Sequence, residues 1–349
     1  MKQFPYSRPQ IAIVDPSSPR SYAPSDLMAG GLGGTEATIL RTSLELNGSF
    51  DITHFQAERH SCERAKAGNM LPMHRLGKAG QPDMAIVINS WKAAVKLRAS
   101  MPDVPIALWL HVVPGRHNRR MGAALHKAGI DVICVSASHA ASLRAFLAAG
   151  PTPRILHIHN PISNDLTPDN TPRDPNRLLF ASSPHKGLAE VMQIFDAVRR
   201  ELPELTLMVA DPGYLKWPCG AVPDNVHFLG KLPHNTLLRH MRRALCLFYP
   251  QTSFAETFGL VIAEANAVGT PVLVQRGLGA NDEVAGAGQC IDGTDVKGLI
   301  ARIQIWQANF PKIEGREAFR MHSVARCWTN YLWSSLSVQD APMREGAMR

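Results

Sequence analysis

The chain has 349 residues, a length that favours two ordinary domains over one. Hydrophobic residues make up 45% and charged residues 19%, which allows packed cores and excludes wholesale disorder. The formal charge of +8 is uneven: residues 1–165 hold 18 Lys/Arg against 11 Asp/Glu, and the remainder 19 against 18. A basic half can face phosphate, an anionic membrane or nucleic acid. Its cations are dispersed, with only Arg116, Arg119 and Arg120 clustered, and no nucleic-acid-binding signature accompanies them. An anionic acceptor or membrane surface is therefore expected, and nucleic acid is not.

No apolar run is long enough to cross a bilayer, and MKQFPYSRPQ leads into IAIVD without a signal-peptide core or cleavage site. A cytoplasmic protein is expected, able to lie peripherally on the inner face of the membrane. Cys62, Cys134, Cys219, Cys246, Cys290 and Cys327 are scattered without a CxxC pair and read as reduced thiols. There is no HExxH pair. His157 and His159 alternate in ILHIHNP as structural strand residues do, so no metal is expected.

In chain order, strands are predicted at 11–15, 51–55, 84–89, 106–111, 131–136 and 155–159, with helices at 36–46, 91–100 and 138–147. Residues 160–177, NPISNDLTPDNTPRDPNR, are rich in Pro, Asn and Asp and read as an interdomain linker. The alternation then restarts, with strands at 178–182, 205–210, 226–230, 244–250 and 271–275 and helices at 188–202 and 260–268. The end, MHSVARCWTNYLWSSL, is predicted helical, and its Trp328, Tyr331, Leu332 and Trp333 need a surface to pack on. The fold class is α/β, with two doubly wound parallel-sheet domains. We place the first at 1–165 and the second at 166–324, with a terminal helix at about 325–349.

The strongest chemical signal is FAETFGLVIAEANAVGTPVLVQ at 254–275. Glu264 is the single carboxylate in the apolar stretch LVIAEANAV. Buried and ionised, it would need hydrogen-bond donors, and ribose hydroxyls are donors of the right kind; a solvent-facing glutamate is the alternative. Glu256 lies just before this helix. The turn Thr257-Phe258-Gly259-Leu260 opens it, where free N–H groups and the helix dipole favour an anion such as a sugar diphosphate, or where Gly259 simply makes a tight turn.

SSPHKGL at 182–188 follows a strand and precedes a helix, which puts Lys186 at the carboxyl end of the sheet, where open α/β folds bind ligands. There it can neutralise a diphosphate, with Ser182 and Ser183 as further donors, or it can be surface decoration. AGGLGGTEATILRTSLEL at 29–46 is a glycine loop opening a helix. It lacks the GK[ST] of a P-loop and the tight strand-to-helix turn of a dinucleotide fingerprint. His111 ends the strand in LWLHVVPGR, a ligand-facing place in this architecture.

With these residues the chain resembles the retaining glycosyltransferases of family 4, which have the GT-B fold. The resemblance runs in order through GGLGGTE, DVICVSASH, HNPI, SSPHKGL, LTLMVAD, VHFLGKLPH and the paired-glutamate segment ETFGLVIAEANAVGTPV. It implies that Glu256 lies near the reacting sugar and that Glu264 holds the nucleotide ribose. Lys186 and the backbone of Phe258, Gly259 and Leu260 would face the donor diphosphate. It also implies a place for His111 near the donor sugar, for Gly33 and Gly34 near the phosphates, and for the last helix on the first domain. Many members carry an arginine shortly before the lysine. Here Ser182, Ser183 and Pro184 stand in that stretch, leaving diphosphate binding to Lys186 and backbone amides, or to a substitute such as Arg276.

The resemblance implies metal-independent, cofactor-free transfer from a UDP-, GDP- or ADP-linked sugar to a glycan, lipid-linked or small-molecule hydroxyl, with retention. A nucleotide-sugar epimerase on the same fold, or a non-catalytic binding subunit, are the alternatives. A nicotinamide oxidoreductase fits least, since Glu58 is a poor candidate for the acidic ribose residue.

Overall fold

The computed structural model describes residues 8–213, 218 and 221–337. In the first half the chain runs through β1 (Gln10–Asp15), α1 (Asp26–Ala29), α2 (Gly34–Leu46), β2 (Asp51–Gln56), β3 (Glu63–Ala65) and β4 (Gly68–Pro72). It continues through β5 (Met84–Ile88), α3 (Trp91–Ser100), β6 (Ile106–Leu110), α4 (Met121–Lys127), β7 (Asp131–Cys134), α5 (Ala137–Leu147) and β8 (Ile155–His157). Strand β1 shows why this half forms a covered sheet. Ile11 and Ile13 join one hydrophobic cluster and Ala12 and Val14 another, one on each face. Strand β5 divides the same way, with Met84, Ile86 and Ile88 opposite Ala85 and Val87. Strands apolar on both faces need helices on both, which is the parallel doubly wound solution.

The second half holds β9 (Asp174–Ala181), α6 (Leu188–Arg199), β10 (Thr206–Ala210), β11 (Val226–Gly230), α7 (His234–Arg243) and β12 (Ala244–Tyr249). Then come α8 (Leu260–Ala267), β13 (Val272–Gln275), α9 (Asn281–Val284), β14 (Cys290–Ile291), α10 (Val296–Ala308) and α11 (Met321–Ser337). Among the described residues the first sheet has the order β3-β4-β2-β1-β5-β6-β7-β8 and the second β11-β10-β9-β12-β13-β14. Every pairing is parallel except β3 with β4. Strand order reverses at β1/β5 in the first sheet and at β9/β12 in the second, and the crevice beyond the carboxyl ends of such strands is where open α/β sheets bind ligands.

Several elements differ from expectation. The antiparallel β3–β4 pair, α1, α4, α7, α9, α10 and β14 are present where no element was expected. Strand β3 is the polar edge of the sheet, and β4, between it and β2, is only five residues long. Residues 174–177 of the expected linker belong to β9, where Asp174 pairs beside Ala244. The last helix begins at Met321, as the segment MHSVARCWTNYLWSSL predicts and a few residues before the domain division at about 325, and residues 338–349 lie outside the described residues, as do 1–7 and Cys219. Helix α11 crosses onto the first domain. Trp328 packs on Trp109 at 4.5 Å, Trp333 on Phe50 at 5.4 Å, and the Tyr331 hydroxyl donates to Asp131 at 3.2 Å. No helix among the described residues is long and apolar enough to cross a membrane.

Candidate active site

Between the two sheets lies a cleft of about 910 Å³, within the range of small-molecule sites. Its second-domain wall is built first by the segment after β12. Gln251, wholly buried, accepts from the N–H groups of Ser253 and Phe254 and donates to the Phe254 carbonyl, which fixes this turn. Glu256 follows, only 7% exposed. One of its oxygens accepts from Lys186 Nζ at 3.0 Å and from the Tyr249 hydroxyl at 3.1 Å; the other accepts from Lys186 at 3.1 Å. Lys186 ends a short turn after β9, and its ammonium also stands over the Phe254 ring at 4.9 Å.

Gly259, at φ 88°, is the residue before α8. The left-handed backbone turns the chain into the helix, and a Cβ there would press on Ile262. The first N–H groups of α8 have no intrahelical acceptors, and Phe258, Gly259, Leu260 and Val261 line the cleft. One turn on, Glu264 is buried among apolar neighbours. Its Oε1 accepts from Arg41 at 2.7 Å and from His234 Nε2 at 3.2 Å. Burial alone would raise this carboxyl. The Arg41 guanidinium, with His234, outweighs that and holds it at about 2.

The first-domain wall is of another kind. Gly33 precedes α2, and Gly34 faces the Leu260 side chain. Gly30, at φ 81°, lies so close to the connection between β11 and α7 that a Cβ would run into the Leu232 carbonyl. His111 sits just beyond β6, its N–H held by the Asn89 side chain at 2.7 Å. Burial, and then neighbouring His139, lower its imidazole to about 3, and the buried Nε2 has no hydrogen-bond partner among the described residues. His111 is thus neutral at physiological pH.

Two further sets of contacts join the domains. The Thr257 hydroxyl donates to the His111 carbonyl at 2.8 Å, and the Thr257 carbonyl accepts from Ser136 at 2.6 Å. Glu283 of α9 accepts from the N–H groups of Ala137 and Ser138, the Ser138 hydroxyl and His159 Nε2, each at 2.8 Å. Burial would raise Glu283, but the His159 hydrogen bond, followed by the donors of Ser138 and Ala137 at the start of α5, brings it to about 2. His157, His159 and Glu283 place ligand atoms within 4.8 Å of one another, a grouping that could hold a cation. The carboxylate oxygens, however, already accept four protein hydrogen bonds, and the cluster is built as an interdomain clasp.

The structure thus brings Glu256, Lys186, Glu264, His111, Gly33, Gly34, Ser182, Ser183 and the 257–260 turn to one cleft. Two details differ from the sequence reading. The Thr257 hydroxyl is engaged by the first domain, and Arg276 donates to the Cys290 carbonyl and does not line the cleft. Sequence reasoning missed Arg41, His234 and Tyr249. Arg41 carried a signal, as the lone charge in the apolar run ATILRTSL.

Residues 168–318 match the family described as glycosyl transferases group 1. Over 111 residues the chain is 30% identical to the phosphatidyl-myo-inositol mannosyltransferase of Mycobacterium tuberculosis; the match spans 30% of this chain and 29% of that protein's length. The whole chain is similar in fold to sucrose-phosphate synthase from Thermosynechococcus elongatus, with a TM-score of 0.68 at 17% identity over 95% of this chain and 97% of that one. It is likewise similar to Anabaena HepE, solved with UDP and glucose, with a TM-score of 0.63 at 17% identity over 95% and 98%. At these identities the likeness concerns architecture. The fold is GT-B, two Rossmann-like domains facing a cleft.

Proposed function

We propose that this chain is a glycosyltransferase that takes a sugar from a nucleotide-diphosphate donor held at the opening of α8. The observation that carries the reading is the convergence of Glu256, Lys186 and Glu264 on one interdomain cleft, at a helix start where the N–H groups of Leu260 and Val261 find no acceptor among the described residues. As the sugar–oxygen bond breaks, negative charge grows on the leaving diphosphate. Lys186 and the first amides of α8 would stabilise that charge from fixed positions, without a metal or cofactor. The Glu256 carboxylate keeps the ammonium in place until the diphosphate arrives, and then faces the sugar. Glu264 accepts from the ribose hydroxyls. Neutral His111 lines the cleft from the first domain, beside the place the donor sugar would take.

The acceptor oxygen attacks the anomeric carbon as its proton passes to the departing phosphate, on the same face, so configuration is retained. Closure of the domains excludes water and favours transfer over hydrolysis. The acceptor side is the basic first domain. Val112 and Val113, 47% and 57% exposed, stand at the cleft rim just before Arg116, Arg119 and Arg120. That pairing supports an acceptor, or a membrane surface bearing it, that is both apolar and anionic; the lipid named for the mycobacterial relative has this character.

The test is a calorimetric titration with UDP, GDP and ADP and their sugars. Binding of one nucleotide is expected, with transfer rather than donor isomerisation when an acceptor is added and an unchanged anomeric configuration by NMR. Failure of all three nucleotides to bind overturns the reading.

A further inference from the structure

Arg41 lies two turns into α2, with Thr38 to Ser43 buried around it, and is itself 6% exposed. A guanidinium so placed needs acceptors, and it has two, neither in its own domain's sheet. One nitrogen donates to the carbonyl of Pro161, in the linker, at 3.2 Å. Another donates to Glu264 Oε1 at 2.7 Å, across the cleft. His234, at the first position of α7, reaches that same oxygen from within the second domain. Both protein donors therefore fall on Oε1. Oε2 accepts from no described residue, and Glu264 lines the cleft. The carboxylate is ionised and held by one oxygen, with the other left for a ligand.

We propose that Arg41 is a positioning residue for the donor. By holding Oε1 from the opposite domain, it presents Oε2 to the vicinal hydroxyls of the nucleotide ribose. This rests on the donor-cleft reading above. It adds that hydroxyl recognition is completed only when the domains are closed, because half of the clamp on Glu264 belongs to the first domain. In an opened molecule His234 alone would hold the carboxylate, which would then be free to turn. A nucleotide is bound by its diphosphate in either state and by its ribose in one.

The experiment compares the affinity of the full chain for whichever of UDP, GDP or ADP it binds with that for the 2′,3′-dideoxy analogue of the same nucleotide. The wild type is expected to prefer the ribonucleotide at least about ten-fold, roughly what one well-placed hydrogen bond to a charged group supplies. In Arg41→Gln that preference should fall below about three-fold, with affinity for the dideoxy analogue little changed. A merely structural role would instead weaken both ligands together. Arg41→Lys keeps the charge but cannot hold Pro161 and Glu264 at once. It guards against a misfolded glutamine variant and should show a preference below the wild type's. Full preference in either folded variant, or none in the wild type, overturns the assignment of Arg41 while leaving nucleotide binding intact. No nucleotide binding by the wild type would instead remove the donor-cleft reading itself.

Discussion

The two walls of the cleft rest on different physics. The second-domain wall is charged and self-contained: Lys186, Tyr249 and Glu256 satisfy one another, and Gln251 fixes the turn that carries them. The first-domain wall offers a glycine loop, the side chains of Arg20 and Glu36, a neutral imidazole and two exposed valines. Its buried guanidinium, Arg41, is committed to the other domain. A wall that fixes its own charges can meet a polyanion unaided. A wall in which Arg20 and Glu36 stand among glycines and apolar edges takes its final shape from what it closes on. Charge stabilisation and closure are thus separate tasks, joined at Arg41–Glu264, at Thr257 and at Glu283.

That division breaks most visibly at Lys186. Replacing it with alanine should lower transfer by about 100-fold or more, the usual loss when one fixed electrostatic donor leaves a reaction centre. His111→Gln keeps a neutral hydrogen-bonding group on the opposite wall and should lower kcat by only about ten-fold. Equal losses, measured as kcat with saturating donor, would show that the walls do not divide the work this way.

A stability measurement sharpens the joint between the walls. Glu264→Ala strands the Arg41 charge in a buried place, and breaking such a pair costs about 3–5 kcal/mol. Lys186→Ala, whose partner Glu256 keeps Tyr249 and a view of the cleft, should cost less. Denaturant unfolding of the two variants checks the order, and a Glu264→Ala variant as stable as wild type would mean the pair does not form in solution.

Buried histidines of the first domain and the carboxylates of the joint both give stability a pH dependence. His54, His111 and His139 sit at about 4, 3 and 4, each lowered chiefly by burial from the ordinary 6.5. Between those values the unfolded chain binds protons that the folded one refuses, so stability falls as pH drops below about 6.5. Glu264 and Glu283 sit at about 2, below the ordinary 4.5, and the stability they contribute is lost as pH falls from about 4.5 towards 2. Melting temperatures should therefore decline in two limbs. Glu283→Gln should flatten the lower limb; an unaltered lower limb would remove Glu283 from the joint.

The contrast between the walls also explains what the sequence made legible. Glu256, Gly259 and Glu264 sit within one short segment, and the isolation of Glu264 in LVIAEANAV was enough to require waiting donors. Their identity was not readable. Arg41 is 223 residues away and His234 is 30, and spacing carries no information about partners that only tertiary folding brings together. The strands through both sheet centres stood out because they are apolar on both faces. The stripe Leu299, Ile303 and Trp306 in α10 is equally regular, whereas β3 is short, polar and at the sheet edge and β4 is a five-residue strand whose sequence, GNMLP, lacks apolar–polar alternation. His111 was placed by its position at a strand end. Its neutrality was not, because that follows from burial and from His139, neither of which a strand pattern reveals.

The smallest expected effect lies on the rim. Val112 and Val113 are exposed, so Val112→Ser with Val113→Ser should change stability by no more than about 0.5 kcal/mol. If the rim meets the apolar part of an acceptor, KM for a lipid-linked or otherwise amphiphilic acceptor should rise several-fold, while donor affinity and the slow hydrolysis of donor in water stay unchanged. Co-sedimentation with anionic vesicles separates two causes of such a rise. Lost vesicle binding places the valines on a membrane surface beside Arg116, Arg119 and Arg120; retained binding places them on the acceptor itself. A fall in donor affinity of the same size would contradict both, since it would mean that the first-domain rim helps to hold the nucleotide sugar and that the walls are one recognition surface rather than two.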